Sequence, residues 1–368
     1  MKALRILVAA FVALSGCDED EALDARDAAS EAASDAGPVE QADGALCPPP
    51  LSSAPARPAS RPPAGPLDDQ LRMNQLQAKA THNSYHVQKY PDSPAMWAYS
   101  HAPLDVQLDT QGVRGFELDV HWVPECERHD VLHLPIVDDV STCRRFTDCL
   151  SVIRAWSDRH LGHHPLFVQI EAKDDGALAA AQRLEALERE ILSVFPRESV
   201  ITPDEVKGDA TTVASAVATT GWPTLARTRG RILFWLLASA GDGKLRDVYT
   251  HGSKDLSGRL MFVSSAPGDP FAAIAVIDDP VADRAAIDNA IAAGMIVRTF
   301  AEKNATTPSA EEAFASGAQV IATDYPVPVA STSWYFRDPG VPSRCNAVTA
   351  PSTCTDDAVE SKSRLATP

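Results

Sequence analysis

The chain has 368 residues and a formal net charge of −17 at pH 7. This acidic balance argues against a nucleic-acid partner, because nucleic-acid binding usually needs a basic surface. It also argues against long-range electrostatic attraction of the protein to anionic membranes. Any lipid partner would have to be bound through local contacts or through an anchor.

The first 16 residues have the features of an export signal. A basic start precedes an apolar stretch over 6–14, which is too short to span a membrane. The sequence LSGC at 14–17 resembles the end of a bacterial lipoprotein signal, in which cleavage leaves Cys17 lipidated. Ordinary secretion, with Cys17 as a free thiol, is the alternative. We therefore expect a lipoprotein signal peptide at 1–16 and an exported protein, anchored in the bacterial cell envelope or secreted.

The next segment, 17–66, is rich in Ala, Pro, Ser and acidic residues and has almost no large apolar side chains. Such a segment cannot bury enough apolar surface to offset its ordering entropy, so we predict a disordered tether. Residues 67–335 are numerous enough for one barrel-sized catalytic domain. The remainder, 336–368, is a Cys- and Pro-containing extension that we expect to wrap around the outside of that domain.

Apart from Cys17, the cysteines of the chain are Cys47, Cys126, Cys143, Cys149, Cys345 and Cys354. An even number in an exported chain predicts three disulfides. Cys143 with Cys149 and Cys345 with Cys354 are the simplest pairs because the loops between them are short. The sequence leaves the other connectivities open. A structural zinc site is disfavoured, since no close pair of CxxC spacings occurs.

After the tether, apolar runs of strand length alternate with amphipathic stretches of helix length. The predicted strands are 113–120, 166–170, 231–237, 260–263, 295–299 and 320–323. The predicted helices are 145–159, 178–195, 281–293 and 310–316. This alternation predicts the α/β class with a parallel sheet, most economically a single (β/α)8 TIM-type barrel. A doubly wound sheet is the alternative, but no Gly-rich phosphate loop opens the first helix.

Polar residues with catalytic potential fall close to the ends of strands or just after them: His82, Asn83, Glu117, Asp119 and His133. Residues i and i+2 of a strand project from one face, so Glu117 and Asp119 should point together. In barrels, active sites lie where the strands end. Two imidazoles beside a carboxylate pair suit metal-assisted phosphodiester chemistry.

With these residues in place, the chain resembles the phosphatidylinositol-specific phospholipase C superfamily. Within it, the chain is most similar to the calcium-dependent bacterial branch, which is related to the catalytic X region of eukaryotic phosphoinositide phospholipases. The matching segments are THNSY at 81–85, FELD at 116–119, the segment around His133, LFVQIEAK at 166–173 and GAQVIATDY at 317–325. Their order and spacing carry the resemblance, because any one of them alone is a weak signal.

The resemblance implies a Ca²⁺ cofactor and two catalytic histidines. The calcium-ligand positions of the family fall on Asn83, Glu117, Asp119 and Glu171, and its histidines fall on His82 and His133. Calcium prefers oxygen ligands, whereas zinc favours nitrogen and sulfur, so the donor types agree with calcium. In metal-independent relatives an arginine near the paired carboxylates replaces the cation. The segment from Glu117 to Asp119 holds no arginine, which favours the calcium version.

The reaction implied by the resemblance is cleavage of a phosphatidylinositol-type lipid to diacylglycerol and an inositol 1,2-cyclic phosphate. A metal-bound carboxylate, Glu117 or Glu171, takes the proton of the inositol 2-hydroxyl. His82 stabilises the pentavalent phosphorus, and His133 protonates the departing diacylglycerol oxygen.

Two basic residues complete the expected site. Lys173, on the same strand face as Glu171, and Arg298, at the end of a late strand, are expected to contact a phosphate or a headgroup hydroxyl. The expected partner is thus a phospholipid at a membrane surface, and we expect the protein to be a monomer.

Other functions remain open at this stage. Glycerophosphodiester phosphodiesterases and spider-type phospholipases D share the barrel and similar carboxylates. The former usually open with a His-Arg-Gly segment and a Glu-Asn-Thr, and neither occurs here. A surface lipoprotein that uses the barrel only for binding is the third possibility. The two histidine positions and the four calcium-ligand positions of the family are all present, which argues against a protein that only binds.

Overall fold

The computed structural model describes residues 47–58, 63–173, 179–238, 244–303, 307–329, 336 and 342–361. The predicted signal peptide, the predicted lipidation site Cys17 and most of the predicted tether lie outside these residues, so those features stay predictions. Within the described residues, no helix is long and apolar enough to cross a membrane.

The strands of the described residues are β1 (Leu76–Thr81), β2 (Gly115–Val123), β3 (Arg128–Val131), β4 (Leu166–Ala172), β5 (Ile232–Leu237), β6 (Phe262–Val263), β7 (Ile274–Val276), β8 (Ile296–Phe300), β9 (Glu302–Lys303), β10 (Thr307–Pro308), β11 (Val320–Thr323) and β12 (Ser343–Cys345). The α-helices are α1 (Leu104–Asp109), α2 (Phe146–Arg159), α3 (Ala180–Val194), α4 (Pro203–Lys207), α5 (Val213–Thr219), α6 (Leu225–Thr228), α7 (Leu245–Tyr249), α8 (Arg284–Ala292), α9 (Ala310–Ala315) and α10 (Asp356–Val359). Short 3₁₀ turns lie at Met73–Gln75, Ala95–Trp97 and Arg197–Ser199.

Eight strands run parallel and form a nearly closed barrel in the order β1, β2, β4, β5, β6, β7, β8 and β11. Among the described residues, a single parallel bridge between Ser264 and Ile274 joins β6 to β7. We call this junction the seam. The structure confirms the prediction of an α/β TIM-type barrel.

The sequence pattern explains most of these elements. Strand β5 reads ILFWLL, and five of its six side chains are buried, as expected for a strand covered on both faces. Helix α2 buries Phe146, Leu150 and Ile153 on one side, the spacing of an amphipathic helix packed on a sheet. Strands β1 and β7 escaped prediction, because β1 carries Gln77 and Lys79 and β7 has only three residues.

Two strands extend the sheet beyond the barrel. Strand β3 pairs antiparallel with the end of β2, and β12 pairs antiparallel with β1. Part of the predicted C-terminal extension is therefore a strand of the sheet. Its later residue Glu360 is fully buried and hydrogen-bonds with Arg114, which directly precedes β2.

Three disulfides are present. The pairs Cys143–Cys149 and Cys345–Cys354 confirm the two predicted from their short loops, and the third joins Cys47 to Cys126 in the turn between β2 and β3. Residues 47–58 thereby lie on the barrel, where the Ala54 amide donates to the Leu192 carbonyl at 3.1 Å. This part of the segment predicted to be a disordered tether belongs instead to the folded unit that begins at Cys47.

Candidate active site

An acidic cluster lies toward the carboxyl ends of two neighbouring strands. Asp119 of β2 is directly opposite Glu171 of β4, and Glu117 precedes Asp119 on the same strand face. One carboxylate oxygen from each of the three residues lies within 4.8 Å of the others. Glu117 is 3% exposed and Asp119 is fully buried, so their charges need a cationic partner.

Asn83 adds an amide to this cluster. It follows β1 with φ of 41°, a left-handed conformation that Asn tolerates better than most residues. Its terminal amide lies 3.3 and 3.2 Å from the two carboxylate oxygens of Asp119, and the NH2 group of that amide donates to them in the orientation that satisfies both side chains. The amide of Asn83 and the carboxylates of Glu117, Asp119 and Glu171 carry the kind of oxygen atoms that calcium prefers.

The protein's own cations already contact this cluster. The Lys173 ammonium lies 2.9 Å from Asp119 and 2.7 Å from Glu171. The Arg298 guanidinium donates to Glu117 at 2.7 Å. Both residues predicted to bind substrate are therefore engaged by carboxylates. The lack of an arginine between Glu117 and Asp119 favoured the calcium version of the site. The fold nevertheless brings an arginine to Glu117 from a distant strand, β8.

Burial and the neighbouring carboxylates raise the pKa of Glu171. Burial, followed by the charge of Asp119, raises the pKa of Glu171 to about 7, although Lys173 opposes the shift. Proton affinity near neutral pH is a property of an effective general base.

His82 sits between two carboxylates. Its Nδ1 hydrogen-bonds with Asp324 Oδ1 at 2.8 Å, and its Nε2 lies 3.8 Å from Glu117 Oε1. Burial lowers the pKa of His82, but Asp324 and Glu117 outweigh it and raise the pKa to about 9. The Nε2 of the imidazole is directed toward the acidic cluster.

His133 has its own carboxylate partner. Its Nδ1 lies 2.8 Å from Asp138 Oδ2, and the buried His86 contacts the same carboxylate through Nε2 at 2.9 Å. Burial raises the pKa of Asp138, but hydrogen bonds from His133 and His86 outweigh it and lower the pKa to about 2. Asp138 is therefore ionised, and it leaves the Nε2 of His133 as the nitrogen available to a substrate.

Three of these residues were not predicted to act at the site. Asp324 lies in the GAQVIATDY segment, so the resemblance contained it without indicating its contact with His82. Asp138 follows His133 by five residues in an unpatterned loop, and no sequence signal separates it from neighbouring Asp139. His86 had no role assigned, and only the fold brings it to Asp138.

Replacing Asp138 by Asn is expected to lower kcat about 10–100-fold, because a hydrogen bond to a charged group contributes about 1.5–3 kcal/mol. KM should change little, since Asp138 acts through His133. Steady-state kinetics measure kcat and KM separately. Asp139→Asn is the control, and an unchanged kcat for Asp138→Asn would remove Asp138 from the mechanism.

Clustered carboxylates with a histidine beside them, toward the carboxyl end of a TIM-type barrel, suit metal-dependent phosphodiester chemistry. A match between this chain and the model of a protein family defines a narrower class of enzyme. The model for Ca²⁺-dependent phosphoinositide phospholipase C matches residues 71–129 and 125–346. The chain belongs to this family. It is a phosphoric diester hydrolase of the phospholipase C type, with Ca²⁺ as its cofactor.

Solved structures show the same fold. A calcium-dependent phosphoinositol-specific phospholipase C from a Gram-negative Pseudomonas species is 16% identical with a TM-score of 0.56, and the match covers 77% of this chain and 98% of that one. A Ca²⁺-dependent phosphatidylinositol-specific phospholipase C from Streptomyces antibioticus is 21% identical with a TM-score of 0.55, covering 70% and 95%. Among curated protein sequences, none matches this chain.

Proposed function

We propose that the enzyme cleaves a phosphatidylinositol-type lipid to diacylglycerol and inositol 1,2-cyclic phosphate. The observation that carries this proposal is the position of a histidine beside the acidic cluster. The Nε2 of His82 lies 3.8 Å from Glu117 Oε1, within reach of any phosphate held at the acidic cluster.

The proposed calcium ligands are Asn83, Glu117, Asp119 and Glu171. Calcium held by these residues would neutralise a phosphate oxygen and would lower the pKa of the inositol 2-hydroxyl. The convergence of Glu117, Asp119 and Glu171, with a carboxylate oxygen of each within 4.8 Å of the others, supports this ligand set. Lys173 and Arg298 are proposed to contact the phosphate or a headgroup hydroxyl, which requires that they share or leave their carboxylates.

A carboxylate removes the proton of the 2-hydroxyl as that oxygen forms its bond to phosphorus. We assign this role to Glu117, beside His82, and keep Glu171 as the alternative. The guanidinium of Arg298 holds one oxygen of Glu117, which disfavours it as a base. Lys173 holds one oxygen of Glu171 at 2.7 Å in the same way, so each candidate base has a cationic partner.

The histidines act on the other oxygens of the phosphodiester. The protonated Nε2 of His82 donates to a non-bridging oxygen and offsets the charge that accumulates on the pentavalent phosphorus. His133 donates its Nε2 proton to the glycerol oxygen as the bond from phosphorus to that oxygen breaks. Asp138 holds the ring of His133 through Nδ1 at 2.8 Å and so orients its Nε2.

Phosphorus NMR of phosphatidylinositol micelles tests the reaction directly. A cyclic phosphodiester signal should appear with calcium and should vanish with a chelator. Release of glycerol phosphate from deacylated diesters would favour a glycerophosphodiesterase, and phosphate retained on the lipid would favour a phospholipase D. Silence on every diester would overturn the proposed reaction and favour a binding lipoprotein.

We also propose that the enzyme is exported and held at a membrane by a lipid on Cys17. Three disulfides support export, because such bonds persist in oxidising compartments. Release of the protein from membranes by Cys17→Ser is the outcome that this anchor predicts.

A further inference from the structure

A buried glutamate contacts the backbone of the aspartate that holds His82. Glu302 belongs to β9, close to the end of β8, and its side chain is buried. Its Oε1 accepts from the Thr323 hydroxyl at 2.9 Å and from the backbone amide of Asp324. The carboxylate of Asp324 in turn contacts Nδ1 of His82 at 2.8 Å. A chain of hydrogen bonds thus leads from Glu302 through Asp324 to His82.

The pairing of β8 with β11 places two acidic residues side by side. Phe300 of β8 is opposite Ala322 of β11, and Glu302 and Asp324 follow this pair on their own segments. Two carboxylates that share a site do not both ionise readily. Burial, followed by the charge of Asp324, raises the pKa of Glu302 well above its ordinary value. Glu302 is therefore the member of the pair that keeps a proton, and the negative charge lies on Asp324, which faces His82.

The other oxygen of Glu302 has no such contacts. Oε2 is buried and makes no hydrogen bond within the part of the chain that the structure describes. A buried polar atom without a partner is destabilising, and native proteins contain few of them. An apolar side chain would fill this space at a smaller cost in free energy. A carboxyl group at this position therefore indicates a use for its accepting oxygen, Oε1.

Oε1 fixes the backbone segment from which Asp324 projects. The Thr323 hydroxyl, which donates to Oε1, also accepts from the Tyr325 amide at 2.9 Å. The Thr323 carbonyl accepts from the His82 amide at 3.2 Å. The segment that carries Asp324 is thereby fixed relative to both the backbone and the ring of His82.

We propose that Glu302 is a positioning residue for His82. It holds the segment around Asp324 so that the carboxylate of Asp324 meets Nδ1 and keeps Nε2 directed toward the acidic cluster. This inference rests on the proposed role of His82 for its effect on turnover, whereas the contact of the ring with Asp324 can be measured without substrate.

Two kinds of substitution separate this role from simple support of the fold. Glu302→Gln keeps an accepting oxygen at the same distance from the backbone, whereas Glu302→Ala removes it. Glu302→Leu also removes the oxygen but fills the space, and it replaces the alanine variant if that protein does not fold.

Glu188 provides a matched control. One of its carboxylate oxygens also accepts from a hydroxyl, that of Tyr249 at 2.6 Å, and from a backbone amide, that of Leu260 at 2.8 Å. Leu260 precedes β6, so this contact lies toward the amino end of the barrel, away from the candidate site. Glu188→Ala therefore removes the same pair of hydrogen bonds without affecting His82.

Steady-state turnover of phosphatidylinositol by the full chain is the first measurement. Glu302→Ala should lower kcat about 10–100-fold with little change in KM, because a misplaced catalytic group slows the chemical step. Glu302→Gln should retain most of the parental kcat, and Glu188→Ala should retain it even if urea unfolding shows a loss of stability. An unchanged kcat in Glu302→Ala, or equal losses in Glu302→Ala and Glu302→Gln, would overturn the proposal.

Proton NMR of the histidine ring is the second measurement, and it needs no substrate. The proton between Nδ1 of His82 and Asp324 is assigned by its loss in His82→Ala. Its signal should shift or broaden in Glu302→Ala and Glu302→Leu, and it should stay in place in Glu302→Gln and Glu188→Ala. A signal that stays in place in Glu302→Ala and Glu302→Leu would overturn the proposal. The expected shifts in an enzyme that cleaves no phosphatidylinositol would count against the proposed function alone.

Discussion

Replacing His82 by Ala is expected to lower kcat about 10²–10⁴-fold, the usual contribution of a positioned acid–base group. The loss follows from two contacts of the imidazole, with Asp324 at 2.8 Å and with Glu117 at 3.8 Å. Together they hold the imidazole where the proposed reaction places the phosphate. Steady-state turnover of phosphatidylinositol, at saturating calcium, measures the effect.

His251 provides the control for this substitution. It is an exposed histidine paired only with Asp255 among the ion pairs of the described residues, and it lies in the stretch that leads into β6. His251→Ala should retain the parental kcat. A loss smaller than about tenfold for His82→Ala would remove His82 from the chemical step, because acid–base groups contribute more than that.

The largest expected loss of stability comes from Glu360→Ala. Glu360 is fully buried, and its carboxylate accepts from Arg114 Nε at 2.7 Å, while Arg114 itself is 1% exposed and stacks on Trp156. Without Glu360 the guanidinium stays buried with no opposite charge, which typically costs about 3–5 kcal/mol. Urea unfolding measures the change in the free energy of unfolding.

A surface ion pair is the matched comparison. Asp288 pairs with Arg284 on the exposed face of α8, and such pairs contribute only about 0–1 kcal/mol. Asp288→Ala should therefore unfold at nearly the parental urea concentration. Equal effects of Glu360→Ala and Asp288→Ala would mean that the buried pair adds no more than a surface one.

The lowered pKa of Glu360 predicts that the free energy of unfolding depends on pH. Burial raises the pKa of Glu360, but Arg114 and His164 outweigh it and lower the pKa to about 2. The unfolded chain has a pKa of about 4.3 for this group, so its contribution is complete above about pH 5 and is lost as the pH falls toward 2. The free energy of unfolding should fall less steeply with acid in Glu360→Ala than in the parent.

Much of the fold and of the acidic cluster could be read from the sequence. The apolar run at Val320–Thr323 has the bounds of β11, since a strand buried on both faces leaves an uninterrupted pattern. Glu117 and Asp119 alternate on one strand, and Glu171 lies on its parallel neighbour. Local periodicity predicts that Glu117 and Asp119 point together, whereas Glu171 came from the resemblance to the family and reaches them through the pairing of β2 with β4.

The missing parts depend on contacts between distant residues. Strand β1 was missed because Gln77 and Lys79 interrupt its apolar run, and their polar ends are satisfied by carbonyls more than 200 residues away, such as Ala318 and Pro326. The contact of Asp324 with His82 spans 242 positions. No local pattern encodes such pairs.

The seam between β6 and β7 predicts where the barrel unfolds locally. The strands that carry the candidate site and its immediate partners, β4, β2, β1, β11 and β8, are consecutive around the ring on the far side from the seam. Local unfolding begins where backbone pairing is sparse, and here that is the short pair of strands beside Ser264. We therefore expect amide hydrogens to exchange fastest at the seam. The five strands that carry the candidate site should keep their register during this local opening.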